Sequence, residues 1–129
     1  MIKVVVLDLD GVYFLNSHKN FKENLNKKFN LSEDKVVQVY FSGQKMKDYK
    51  LGKISGDEFW GWAIKEWGIN VTQQDVLNVL AEGYFINEKA DSLIKKLKDQ
   101  NIKIALCTNN FLERIQTVDN KLNFLDNFD

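Results

Sequence analysis

With a single cysteine among 129 residues, this chain can form no internal disulfide, and a reducing compartment is the expectation. It has no excess of either charge. The 18 basic and 18 acidic side chains cancel and are interspersed, so most belong to a solvated surface. That leaves no electrostatic footprint for nucleic acid and no basic face for a membrane. There is no long hydrophobic run either. The apolar run near the N-terminus is far too short to span a bilayer, and Asp8 and Asp10 interrupt it where a signal peptide is still apolar. A cytoplasmic location is therefore expected. Proline is absent altogether, an unusual composition to which no functional reading attaches. No repeat, low-complexity tract or flexible linker is evident.

The content that is present points to a folded unit. The length suits one domain, or a small core carrying a small insertion, and 44% apolar with 12% aromatic residues is enough to bury a core. Residues 3–7, KVVVL, form a short β-branched run without alternation, the pattern of a strand covered on both faces. IKIAL at 102–106 is a second. It follows a segment at 88–100 in which Ala90, Leu93, Ile94 and Leu97 recur at helical spacing, with Asn87 as N-cap. Helix, short turn and buried strand make a unit of an α/β fold. Between the strands the patterns are helical. Ser55–Glu58 reads as a standard capping box and Thr72–Asp75 as a looser one, and Phe59, Trp60, Ala63, Ile64 and Trp67 form an apolar stripe. The expected organisation is an α/β part at 1–13 and 85–129, with a helical bundle inserted at 14–84.

Two stretches carry candidate chemistry. The first is DLDGV at 8–12, which follows a predicted strand. Two positions apart on a strand, Asp8 and Asp10 point to the same side and repel, so a cation or a chemical role is expected for them. In open α/β sheets ligands bind beyond the carboxyl ends of strands, where these acids fall. A carboxylate pair there suits Mg²⁺, and with a phosphate present one acid can attack phosphorus while the other handles protons. Gly11 lets the chain turn sharply away. The alternative is a strand ending in a solvated acidic turn, and these residues alone leave both readings open. The second stretch is CTNN at 107–110. The Thr108 hydroxyl and Asn109 amide can hydrogen-bond a phosphate oxygen; equally, they can form a polar turn capping a helix. Cys107 reads as a small buried apolar residue and not as a nucleophile, since no positive partner is evident. His18, the only histidine, has no company for a metal site. The aromatics of the insert read mostly as its core.

A strand ending DLDGV, a helical insert and a strand ending TNN together resemble the haloacid dehalogenase-like hydrolases, in the branch with a small helical cap after the first strand. KLGKISGDEFW at 50–60 and ADSLIKKLKDQNIKIALCTNN at 90–110 are similar to stretches of that branch. The resemblance implies a Rossmann-like parallel sheet, incomplete in this chain, with an inserted α-helical cap. It implies that Asp8 is a nucleophile that becomes phosphorylated and also binds Mg²⁺. Asp10 would protonate the leaving alcohol and then activate water, its carbonyl also binding the metal. Thr108 would hold the phosphoryl group, with Asn109 shaping the site and the cap choosing a small phosphorylated metabolite. Family members that displace halide lack the second aspartate, so Asp10 favours phosphoryl transfer.

The resemblance also implies a lysine and further acids beyond the point matching Phe128 and Asp129; Lys121, Asp126 and Asp129 fit neither role. The sequence thus reads as the front part of a longer protein, inactive alone, with a sheet edge open to self-association. The competing expectation is a non-catalytic remnant or interaction module of the same fold. A phosphoacceptor signalling domain is disfavoured, because the middle of the chain is helical where such a domain needs central strands.

Overall fold

The computed structural model describes residues 1–129. It is α/β, with two parallel strands joined by a long helical crossover. Strand β1 (Val4–Leu7) pairs with β2 (Lys103–Leu106) in the register Val4 with Lys103 through Leu7 with Leu106. The ladder runs one bond further, from the Cys107 N–H to the Leu7 carbonyl at 2.9 Å. Both strands therefore end side by side, and the two polar motifs leave the sheet at the same edge.

Between them lie α1 (Ser17–Phe29), α2 (Glu33–Val36) running into a π-helical turn at Val37–Phe41, α3 (Gln44–Lys50), α4 (Gly56–Trp67) and α5 (Gln73–Glu82). The apolar stripe of α4 turns Phe59, Trp60, Ala63 and Trp67 into a shared core with Phe21, Tyr40 and Val76. The caps differ from expectation. Thr72 and Asp75 form the complete reciprocal box, whereas Ser55 only accepts the Glu58 N–H, at 3.1 Å, without a return bond. The shorter aspartate reaches back to the Thr72 N–H at 2.8 Å.

Helix α6 (Glu88–Asp99) starts at Asn87, whose side chain accepts the Lys89 N–H. After β2 come α7 (Leu112–Leu122) and a 3₁₀ turn at Phe124–Asn127. The final residue returns to the outer edge of β2. There the Asp129 N–H donates to the Ile104 carbonyl and its carboxylate accepts the Ile104 N–H, both at 2.8 Å.

The strands are not covered on both faces. Val4 and Val6 are 49% and 58% exposed, while Ile104 on the neighbouring strand is fully buried. A two-stranded sheet presents too little width for helices on each side, so the face bearing Val4 and Val6 stays open. Leu93 of α6 is exposed as well. No helix is long and apolar enough to cross a membrane.

Candidate active site

Strand β1 ends at Leu7, but the alternation of inward and outward side chains carries on through the next three residues. Leu9 drops into the core, 1% exposed, while Asp8 and Asp10 point the other way. The Leu9 carbonyl then accepts from Val12, Tyr13 and Phe14, which folds the chain into a tight turn. Gly11 stands at φ +80° in that turn, a conformation that strains any residue with a Cβ. Tyr13 and Phe14 are thereby delivered to an aromatic cluster with Tyr84, Phe124 and Phe128, which anchors the turn.

Asp8, Asp10, Cys107, Thr108 and Asn109 line one cavity of about 310 Å³ at the carboxyl ends of β1 and β2. The four residues singled out from sequence are thus brought together. Cys107 shares the cavity wall and is exposed, not buried, because β2 ends before it and nothing packs above the sheet end. A wider groove of about 550 Å³ runs between α1 and Glu33, but polar and charged side chains alone line it, and Lys22 and Glu33 pair there with each other.

The two aspartates differ in environment. Asp8 is exposed and uses one carboxylate oxygen to accept its neighbour's N–H, from Leu9 at 2.8 Å. The other oxygen has no protein donor. Asp10 is heavily engaged. Its Oδ1 accepts from the Arg114 guanidinium at 2.6 Å, from the Ser17 hydroxyl at 2.8 Å and from the Tyr84 hydroxyl at 3.3 Å. Its Oδ2 accepts from the Asn110 amide at 3.2 Å. Burial alone would raise the Asp10 pKa, but Arg114, Ser17 and Asn110 outweigh it and hold the carboxyl below its ordinary value. The mutual repulsion expected of the pair is therefore relieved within the protein, since Arg114 supplies the cation for Asp10.

Arg114, Ser17 and Tyr84 escaped the sequence reading, and Asn110 fell within the CTNN stretch without a role of its own. One signal was available for Arg114. It lies on α7 among Ile115, Val118 and Leu122, after the buried Phe111, so it interrupts an apolar stripe at helical spacing. A charge inside such a stripe needs a buried partner. Its side chain is 3% exposed and stacks 5.0 Å from the Tyr84 ring. Its Nε–H and the Asn110 Oδ1 are buried without hydrogen-bond partners. Each such orphan costs on the order of 1–3 kcal/mol.

The oxygens on offer suit a hard cation. The free Asp8 carboxylate oxygen and the Asp10 carbonyl, which accepts no backbone N–H, are the donors Mg²⁺ uses when it keeps several waters and takes one or two protein oxygens. No group of three or more His, Cys, Asp or Glu converges anywhere in the structure, this cavity included, so a cation here has only these few protein oxygens and water. Lys121 lies apart from the cavity, donating to the Ala81 carbonyl at 3.1 Å, and Asp129 is committed to Ile104.

Residues 2–129 match the family model of the haloacid dehalogenase-like hydrolases. No curated protein matches the chain. Among solved structures it is similar to the HAD family enzyme BT-2542 from Bacteroides thetaiotaomicron in complex with magnesium and inorganic phosphate. The TM-score is 0.69 at 22% identity, over 93% of this chain and 59% of that one. It is also similar to the L-2-haloacid dehalogenase from Xanthobacter autotrophicus, with TM-score 0.61 and 17% identity, over 100% of this chain and 55% of that one. The chain thus spans less than two thirds of the length of these structures, and at such identities the likeness is one of fold. The family match covers almost every residue and includes the carboxylates at the end of β1, so the chain belongs to the haloacid dehalogenase-like hydrolases.

Proposed function

We propose that this chain carries the nucleophile and the proton-transfer group of a Mg²⁺-dependent phosphatase acting on a small phosphorylated metabolite. The observation that supports it most is the cavity shared by Asp8, Asp10, Thr108 and Asn109. The exposed Asp8 carboxylate attacks phosphorus, forming the Asp8–phosphorus bond as the bond to the leaving alcohol breaks. Asp10, in its protonated form, gives its proton to that alcohol. As a carboxylate it then takes a proton from the water that attacks the phosphoryl group and frees Asp8. Thr108 donates its hydroxyl to a phosphoryl oxygen, and Asn109 shapes the same wall. Mg²⁺, when bound, offsets the negative charge that these steps bring together.

Displacement of halide from carbon needs no proton for the leaving group, so a carboxyl at position 10 suits an alcohol leaving group better. In this reading the helical bundle at 14–84 is a cap that limits water and selects substrate. The test is hydrolysis of p-nitrophenyl phosphate with and without Mg²⁺, by this chain and by the protein encoded by the whole reading frame. Turnover that needs Mg²⁺ and disappears in Asp8→Asn is expected; turnover that survives Asp8→Asn would overturn the assignment.

A second reading has its own support in the open sheet face, where Ile2, Val4 and Val6 are exposed together. In it the chain is a non-catalytic module that self-associates through the sheet. A sedimenting dimer that turns over no phosphate ester would favour that reading.

A further inference from the structure

His18 and Lys50 stand beside the anchors of the Asp10 cluster without belonging to it. Buried Ser17 donates to Asp10, and His18 is the next residue of α1, its ring edge-on to Phe41 at 5.1 Å. Buried Tyr49 donates to the Glu113 carboxylate at 2.6 Å and stacks on Phe111 at 4.5 Å between ring centroids. Lys50 comes next and ends α3, while Glu113 is followed by Arg114. Chain neighbours that are themselves locked in place thus hold His18 and Lys50 near Arg114. Both side chains remain accessible to solvent.

The charges around Asp10 do not balance once Lys50 is counted. Arg114 pairs with Asp10 and Lys22 with Glu33, whereas Lys50 pairs with no carboxylate. Partial burial and the nearby Arg114 hold the Lys50 pKa below its ordinary value, with Asp10 opposing. Lys95, which has Asp91 at 2.7 Å, is shifted the other way. His18 is lowered by partial burial and then by Arg114, with Asp10 opposing and Lys50 and Lys22 adding to the effect. Groups whose charged forms are disfavoured in this way gain from an anion placed among them. Arg114 also keeps a buried Nε–H without a partner, an unspent donor in the same region.

The direction of the reaction separates this anion from the phosphoryl group. In the phosphatase reading Asp8 attacks phosphorus and Asp10 meets the leaving oxygen, and attacking and leaving oxygens lie roughly in line. The cavity that holds Asp8 and Thr108 takes the phosphoryl group, and neither His18 nor Lys50 lines it. The rest of the leaving alcohol therefore runs past Asp10 toward the insert, where His18 and Lys50 stand.

We propose that Lys50, with His18 beside it, forms a subsite for a second anionic group on the leaving alcohol, so that the substrate is a phosphate monoester that also carries a carboxylate or a further phosphate. This names the substrate class of the site and rests on the phosphatase reading. Lys50 supplies an ammonium that no carboxylate of the chain offsets, and His18 supplies a ring N–H. Neither exchanges a proton or a bond with the substrate; they determine which alcohol is accepted.

Three esters of equal carbon-chain length test the subsite: the phosphate esters of propanol and of hydroxypropanoate, and the bisphosphate of propanediol. In the protein from the whole reading frame, kcat/KM should be at least tenfold higher for one of the doubly charged esters than for propyl phosphate, about the worth of one charge-assisted hydrogen bond. The favoured ester identifies the anion as carboxylate or phosphate. Lys50→Met should remove most of that advantage, and Lys50→Glu should reverse it. Lys45→Met deletes an equal charge from the same helix, where the ammonium lies over the Trp62 ring, and should leave the advantage intact. Failure of both charged esters to reach that advantage, or an equal loss in Lys50→Met and Lys45→Met, would overturn the subsite.

A second readout needs no turnover. In Asp8→Asn, at least one charged ester added with Mg²⁺ should shift the Thr108 and Asn109 amide signals in NMR spectra, together with the ring signals of His18, the only histidine. Propyl phosphate should shift the amides alone. Amide shifts with no His18 response, or with an equal one to all three esters, would overturn the subsite alone. No response at Thr108 and Asn109 would overturn the phosphatase reading and the subsite with it.

Discussion

The helical insert and the two-stranded sheet bury their apolar residues to very different degrees. In the insert, Phe21, Leu25, Val36, Phe59, Trp60 and Ala63 are all 1% exposed or less, and their aromatic rings meet edge to face or stacked. In the sheet, Val4 and Val6 face outward with about half their surface free. Yet the cavity with Asp8 and Thr108 belongs entirely to the sheet end. Stability and candidate chemistry are thus carried by different parts of the chain. The insert shares one closed core with Phe111 and Val118 of the segment after β2, whereas the sheet gives the site its geometry without enclosing its own strands. The Asp10–Arg114 cluster is where the two parts meet.

That division can be broken from either side. The largest loss of stability is expected from Trp60→Ala, which empties the centre of the aromatic core. It should cost about 3–5 kcal/mol and lower the melting temperature by roughly 10–20 °C in a thermal scan. Next comes Arg114→Met. It leaves the Asp10 carboxylate largely buried without its cation and should cost about 3 kcal/mol in urea denaturation. The pH dependence follows from the lowered Asp10 pKa. A carboxyl depressed in the folded state stabilises the fold above its unfolded value, near 4, and loses that contribution as pH falls through the folded value. The advantage of wild type over Asp10→Asn should therefore be full at pH 7 and shrink below about pH 4.

Smaller effects sharpen the comparison further. Thr72→Ala removes one side of the α5 capping box and should cost about 1 kcal/mol, visible in the same urea titration. Asp8→Asn should change stability by less than about 0.5 kcal/mol while abolishing phosphate-ester turnover, since Asp8 is exposed and bonded only to its neighbour. Val6→Lys on the open sheet face should likewise leave the melting temperature nearly unchanged. In sedimentation it should abolish whatever self-association the wild-type chain shows.

Much of the fold was legible because its signals are local. The α4 stripe, the Asn87 cap and the two β-branched runs are statements about neighbours in sequence, and the structure realises each of them. The cavity was legible too, because a motif that follows a strand must lie at the sheet's edge. The covering of the strands was not. KVVVL has the composition of a strand buried on both faces, but whether partners arrive depends on the rest of the sheet. Cys107 failed for the same reason, since its position just past β2 leaves it nothing to pack against. The capping boxes were ranked the wrong way round, because reach and rotamer, not residue type alone, decide whether the return bond forms.

The sequence by itself determined the chemical vocabulary of this protein. It placed two carboxylates after one strand and a hydroxyl and an amide after another, with a helical bundle between, because strand period and helix period are properties of a few consecutive residues. Only the tertiary structure decided how those groups are held. Ser17, Tyr84, Asn110 and Arg114 lie 7, 74, 100 and 104 positions from Asp10 and meet at one carboxylate. Charge compensation depends on distance in space and on burial, and neither is written in the spacing of residues along the chain.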